Sequence, residues 1–290
     1  MRTDDWYGTQ DLTGFLAHAG GFLRSRPDLH TVALTVTETL RTNGPRAYGD
    51  EAPVFGVLEV DGQVRAAYFR TPPYRLNVTP LTPDEADALA AHLVALGHEV
   101  PGVVAARETA EAFVAAWRRR SGVRAAVSQR QRLYRLGNLT VPHPLPAGRA
   151  RVAGKEDRAQ LIRWHREFVE AVGGVAGRDA DAWADSRIAY GGITLWESED
   201  GTPLSMAGVT PVVAGQARVS PVYTPAHLRG RGYAGAVTAQ VSRSVLASGV
   251  REVLLFTDLA NQTSNGLYQR IGYRAVAEFA AYDFRGNRAY

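Results

Sequence analysis

The segment Arg229-Gly230-Arg231-Gly232-Tyr233-Ala234 carries the residue types best suited to one chemical task, the holding of an anion. It follows an apolar extended run that ends at Tyr223. It precedes a stretch to Ser248 in which Ala234, Val237, Val241 and Val245 recur at spacings of three and four. That spacing predicts a helix from Tyr233 to Ser248, stopped by Gly249. Glycines ahead of a helix let backbone N–H groups close on a phosphate, and the helix N-terminus adds partial positive charge. A plain tight turn would also account for two glycines before a helix. The Gly-Lys-Ser/Thr of a nucleoside triphosphate loop is absent and no Gly-x-Gly-x-x-Gly dinucleotide fingerprint is expected, so the flanking sequence has to decide.

On either side of this loop stand Ala217-Arg-Val-Ser-Pro-Val-Tyr-Thr, Val253-Leu-Leu-Phe-Thr-Asp-Leu-Ala-Asn and Asn261-Gln-Thr-Ser-Asn-Gly-Leu-Tyr-Gln-Arg-Ile-Gly-Tyr. Arg229, Gly232 and Ala234 fill the places of the pattern Arg/Gln-x-x-Gly-x-Gly/Ala. Asn261, Ser264, Tyr268 and Gly272-Tyr273 fill those of Asn-x-x-Ser/Ala-x-x-x-Tyr followed by Gly-Phe/Tyr. By these residues Arg151 to Phe284 resembles the Gcn5-related N-acetyltransferases.

The resemblance implies transfer of the acetyl group of acetyl-coenzyme A to an amine, on a small molecule or at an amino terminus, with no metal. It implies that the backbone at Val222, Tyr223 and Thr224 binds the pantetheine arm, and that Arg229, Gly230, Arg231, Gly232, Tyr233 and Ala234 hold the pyrophosphate. Asn261 and Ser264 would bind the arm as well, although both also suit ordinary helix capping. In the same reading the Val222 amide stabilises the carbonyl oxygen under attack, and Tyr268 donates to the departing sulfur. A core tyrosine is the bland alternative for Tyr268. Deprotonating the acceptor calls for a carboxylate, a histidine or water. Glu167, His165 and Glu197 flank that side in the family, and none of them is singled out.

Several elements must position these groups. Leu12, Phe15 and Leu16 suggest a helix, and the apolar run Thr31 to Val36 a strand. Val54 to Leu58 and Val64 to Phe69, joined by Asp61-Gly62, read as a hairpin. An extended piece near Tyr74 to Val78 follows. A helix then opens at Thr82-Pro83-Asp84-Glu85, ahead of a run at Val103 to Ala106 and a helix from Glu108 to Trp117. The pattern dissolves at Thr-Val-Pro-His-Pro-Leu-Pro-Ala-Gly. Beyond it come helices from Lys155 to Val172 and near Ala180 to Ile188, then strands at Ile193 to Glu197, Leu204 to Val213 and Gln216 to Tyr223. The next strand starts at Val253 and is expected to end at Asn261.

The two halves repeat one order: opening helices, a strand pair, a third strand, a helix, a strand and a helix. The expectation is an α/β protein of two related domains, each a mixed, mostly antiparallel sheet flanked by helices. Residues 1–140 would form a degenerate domain without a coenzyme site, 141–148 a linker and 149–290 the catalytic domain. In the first half two prolines replace amide donors, and Asp84 and Glu85 would repel a pyrophosphate.

Composition narrows the choices. There is no cysteine, so disulfides and thiolate chemistry are closed. No long uncharged apolar run and no secretory signal pattern are evident, so a soluble cytoplasmic protein, monomer or homodimer, is expected. Net charge is +4, and all but one of the 33 basic residues are arginine. Arg118 to Arg120 and Arg130 to Arg135 form basic clusters with no nucleic-acid motif beside them, and read as solvated faces. Two further function classes stay open: a non-catalytic acyl-coenzyme A sensor, and a nucleic-acid-binding protein on a decayed acetyltransferase fold.

Overall fold

The computed structural model describes residues 6–173 and 180–285. It divides into two compact units. The first comprises Met1–Leu133, Asp258–Ala260 and Val276–Tyr290, and the second Tyr134–Thr257 and Asn261–Ala275.

The first unit runs β1 (Trp6–Thr9), α1 (Leu12–Ser25), α2 (Thr31–Asn43), β2 (Val54–Val60), β3 (Gln63–Arg70), β4 (Leu76–Val78), α3 (Pro83–Ala95), β5 (Gly102–Ala106), α4 (Arg107–Ser121) and β6 (Arg124–Leu136). Strands β1 to β4 pair antiparallel in sequence order, and β4 pairs β5 in parallel. The hairpin between β2 and β3 turns on Asp61 and Gly62, both at positive φ, as a two-residue turn between right-twisting strands requires. Helices α3 and α4 pack their apolar faces, among them Leu89, Leu93, Phe113 and Trp117, on the sheet.

One expected element changes type here. The run Thr31 to Val36 is not a strand; it begins α2. β-Branched residues favour strands, but the buried positions Thr31, Ala33, Leu34, Thr35, Thr37 and Leu40 follow a helical stripe. The threonine hydroxyls are satisfied within the helix: Thr35 donates to the Thr31 carbonyl at 2.6 Å and Thr37 to that of Ala33 at 2.8 Å.

The second unit contains β7 (Arg149–Val152), α5 (Arg158–Ala171), α6 (Ala180–Ala189), β8 (Ile193–Glu197), β9 (Pro203–Val209), β10 (Gln216–Tyr223), α7 (Tyr233–Ala247), β11 (Glu252–Asp258) and α8 (Gln262–Ile271), followed by β12 (Tyr273–Arg285). Strands β7 to β10 pair antiparallel, and β10 pairs β11 in parallel. Each unit is thus a mixed, mostly antiparallel sheet with helices. The element order β, α, α, β, β, β, α, β, α, β occurs twice.

Three expected boundaries move. Strand β9 stops at Val209, and Val213 makes only an isolated bridge with Gln216. Strand β11 stops at Asp258, short of Asn261, because Asn261 is already the cap of α8. The third change is in the division of the chain. Val276–Tyr290 belongs to the first unit, not the second, since Phe279 to Asp283 pair with Ala106 to Gly102 of β5 and Phe284 stacks on Trp117. The second unit begins at Tyr134, so the proline-rich stretch 141–148 lies within it.

The arginine clusters lie on these elements with acidic partners. Arg119 and Arg120 meet Asp87, Arg132 meets Glu278, and Arg135 meets Glu252.

Candidate functional site

Strands β10 and β11 are in parallel register at Gln216↔Glu252, Ala217↔Val253 and Arg218↔Leu254, and at no later described pair. Both continue, β10 to Tyr223 and β11 to Asp258. On its other edge β10 stays paired to β9 as far as Tyr223↔Met206, with a register shift between Val219 and Val222. A bulge bends its strand, and here the bent end of β10 parts from β11 while remaining attached to β9. The facing edges of the two strand ends therefore carry backbone groups free of ladder bonds.

The chain leaving β10 enters the glycine loop. Thr224 is buried, and its hydroxyl and that of Ser205 lie 2.8 Å apart. The Ser205 hydroxyl also donates to the Tyr223 carbonyl at 3.0 Å. A single 3-10 turn, Ala226–Leu228, leads to Arg229, whose Nε donates to the Thr224 carbonyl at 3.1 Å. Gly230 and Gly232 take φ of 76° and 87°. Gly232 is the N-cap of α7 and has no side chain to cap it, and the first turn of α7 holds no acid. Residues 224–235 include no aspartate or glutamate at all. The amides at the start of α7 thus face a loop whose charged side chains are Arg229 and Arg231.

Gly235 serves a different purpose. A Cβ there would stand 3.1 Å from Leu267, so glycine lets α8 approach the start of α7. Gly230, Gly232 and Gly235 together do have Gly-x-Gly-x-x-Gly spacing, contrary to expectation. The context is not that of a dinucleotide fold, because six residues and a 3-10 turn separate strand from glycine and the sheet is mostly antiparallel.

Helix α8 is capped by Asn261, whose Oδ1 accepts from the Ser264 amide at 3.0 Å. Capping therefore occupies the Asn261 side-chain oxygen. Ser264 is the residue being capped and caps nothing among the described residues. Two turns on, Tyr268 is buried against Tyr273, with ring centroids 6.0 Å apart. Its hydroxyl bonds to no described residue, and burial pushes its pKa up to about 12. Gly272 ends α8 at φ 108°, with the Asn138 carbonyl oxygen 2.0 Å from where a Cβ would sit, so only glycine fits. Tyr273 is wholly buried, its hydroxyl 2.8 Å from that of Ser242.

The three acceptor-side candidates differ. Glu197 is buried and bound by Arg149 and Arg151 at 2.8 and 2.6 Å, and hydrogen bonding from Arg151 above all holds its pKa down. It is a structural ion, joined through Arg151 to Asp157. His165 is buried and stacked on Trp183 at 4.1 Å. Glu167 is half-buried and accepts a 2.7 Å hydrogen bond from the Tyr223 hydroxyl. A cavity of about 210 Å³ between Val141, Leu145, Trp196 and the Ala236–Arg243 face of α7 is lined by none of the expected coenzyme residues. Among the described residues no cluster of histidine and carboxylate suits a metal ion, and no helix is long and apolar enough to cross a membrane.

A parted parallel strand pair, a glycine loop and an uncapped helix define the class. Residues 213–281 match the family described as FR47-like protein. Along its whole length the chain is similar in structure to a Gcn5-related N-acetyltransferase from Sphaerobacter thermophilus, with TM-score 0.64 and 19% identity over 96% of this chain and 94% of that one. An acetyltransferase of the same family from Colwellia psychrerythraea gives 0.63 and 11% over 97% and 100%. A tandem protein of the family, from the clavulanic acid biosynthesis pathway, gives 0.57 and 13% over 96% and 98%. No curated protein matches the chain in sequence. The chain has the fold of the Gcn5-related N-acetyltransferases, present twice.

Proposed function

We propose that the second unit binds acetyl-coenzyme A between the parted ends of β10 and β11 and transfers its acetyl group to an amine. One observation carries this reading. The open edge of β10, beside that of β11, is followed through the 3-10 turn Ala226–Leu228 by an uncapped helix start with glycines at positive φ. An extended amide-bearing arm suits the strand edges, and a pyrophosphate suits the helix amides. Arg229 and Arg231 add positive charge beside it. The first unit takes no coenzyme in this reading.

In a strand, the N–H and C=O of one residue point to one edge and those of the next to the other. The Tyr223 carbonyl is turned to β9, where it accepts from Ser205. The Val222 amide is therefore turned to the open edge, and there it would donate to the thioester oxygen as negative charge develops. Tyr268 serves the sulfur. With its pKa at about 12 and a thiol near 8.5, full proton transfer would be uphill by about 5 kcal/mol. Tyr268 thus stabilises the thiolate as a hydrogen-bond donor.

The test is a calorimetric titration of the chain with acetyl-coenzyme A, followed by thiol release in the presence of an amine library. Binding with release supports transfer. Binding without release for any amine would leave an acyl-coenzyme A sensor, and no binding would defeat both readings.

A further inference from the structure

The residue that ends β10 reaches toward α5. Tyr223 buries its ring beside Trp164, 6.0 Å between centroids, and its hydroxyl donates to Oε2 of Glu167 at 2.7 Å. Burial first, then the bond to Glu167, raises Tyr223 to about 12, so it remains a donor at any ordinary pH. One Glu167 oxygen is thereby fixed and the other is left for a further donor. Glu170, one turn along α5 and exposed, acts on the same hydroxyl, as does Arg229, whose Nε is held by the Thr224 carbonyl.

In this arginine-rich chain the neighbouring acids are in ion pairs. Asp157 pairs with Arg151, Asp185 with Arg158, and Asp181 with Arg158 and Arg166. Glu167 and Glu170 have no basic partner among the described residues. They stand beside the end of the strand whose open edge is assigned to the acyl group.

Resting on the proposed acetyl transfer, we infer that Glu167, fixed by Tyr223 and backed by Glu170, receives the ammonium of the acceptor and selects alkyl amines and polyamines over amines that carry a carboxylate. An ammonium gains a charge-assisted hydrogen bond there, whereas a carboxylate close to the reacting nitrogen meets two like charges. The ammonium passes one proton to Glu167 and thence to solvent. The freed lone pair forms the C–N bond, the C–S pair leaves on sulfur, and a second nitrogen proton ends on the thiolate. Glu167 touches the substrate in this scheme, and Tyr223 is a positioning residue.

The experiment compares putrescine, butylamine and γ-aminobutyrate as acceptors at saturating acetyl-coenzyme A, in the full chain and in Glu167→Gln and Tyr223→Phe. The parent should favour putrescine over γ-aminobutyrate by at least about tenfold in kcat/KM, a gap of one decade. Glu167→Gln should bring that ratio toward one with coenzyme affinity unchanged, and Tyr223→Phe should narrow it less. A ratio unmoved by Glu167→Gln overturns the inference. So does a parent that prefers γ-aminobutyrate, or one that binds acetyl-coenzyme A yet acetylates none of the three. Failure to bind acetyl-coenzyme A would instead overturn the reading on which it rests, and this inference with it.

Discussion

The starts of α3 and α7 occupy the same place in the repeated order of elements and are built to opposite ends. At α3 the protein uses its own donors. The Leu81 amide goes to Thr109 Oγ1 at 3.0 Å, the Thr82 amide to Glu85 Oε2 at 2.7 Å, and the Glu85 amide to Thr82 Oγ1 at 3.3 Å. Pro80 and Pro83 have no amide to offer, and Asp84 and Glu85 neutralise the helix end. At α7 a glycine caps nothing, and neither the first turn nor residues 224–235 hold an acid. A capping residue is worth about 1 kcal/mol, so the second unit forgoes stability at this end. A bound anion would restore it by mass action. In a duplicated fold, a helix start that satisfies itself is scaffold, and one left unsatisfied is where a ligand is to be sought.

The change with the largest expected effect removes that difference. Gly232→Glu places a carboxylate at the mouth of the cradle, as α3 does naturally. At φ 87° a non-glycine residue costs about 1–2 kcal/mol, which lowers the melting temperature without unfolding the chain. Acetyl-coenzyme A affinity should fall by about a hundredfold or more, roughly 2.7 kcal/mol, as read by calorimetry. The parent should bind one coenzyme per chain. A stoichiometry of two would break the comparison, since it would mean that the start of α3 opens to ligand after all.

Tyr268→Phe should separate binding from chemistry inside the second unit. Its hydroxyl lies free of partners among the described residues, so losing it costs little folding stability and little coenzyme affinity. The thiolate loses a donor, and turnover should drop by about ten- to a thousandfold, near 2–4 kcal/mol. Single-turnover thiol release would reveal this. An unchanged rate would return Tyr268 to the role of a core aromatic.

The legibility of the chain was uneven for physical reasons. Elements with a strong local signal were readable: the Asp61-Gly62 hairpin, the Thr82 capping box and the α7 stripe between Gly232 and Gly249. Helix α2 was not, because its five threonines mimic a strand and the back-bonding of four of them appears only once the helix exists. Strands β6 and β12 were not readable because arginines, with Glu278 and Asp283 in β12, interrupt their alternation, and those charges are settled by pairs such as Arg132 with Glu278 that lie 146 residues apart. The candidate site shows the same divide. Its loop and closing residues carry their own spacing, whereas the parting of β10 from β11 and the bond from Tyr223 to Glu167 are long-range facts that no window of sequence contains.

The smallest expected effect tests the quiet side of the comparison. Thr82→Ala deletes the hydroxyl that accepts from the Glu85 amide, at a 3.3 Å distance that marks a modest bond. Loss of such a cap costs about 0.5–2 kcal/mol. The 3.3 Å length argues for the lower part of that range, a fall of a few degrees in melting temperature. Half of the capping box survives, because Glu85 still accepts from the residue-82 amide and is still met by Arg65 at 3.2 Å. Freeing one amide should therefore create no anion site, since Asp84 and Glu85 remain beside it. Acetyl-coenzyme A titration of the variant should match the parent in affinity and stoichiometry while differential scanning calorimetry records the lower transition. A second heat of binding in Thr82→Ala would show that this single cap, and not the acids and prolines around it, keeps the first unit closed to coenzyme.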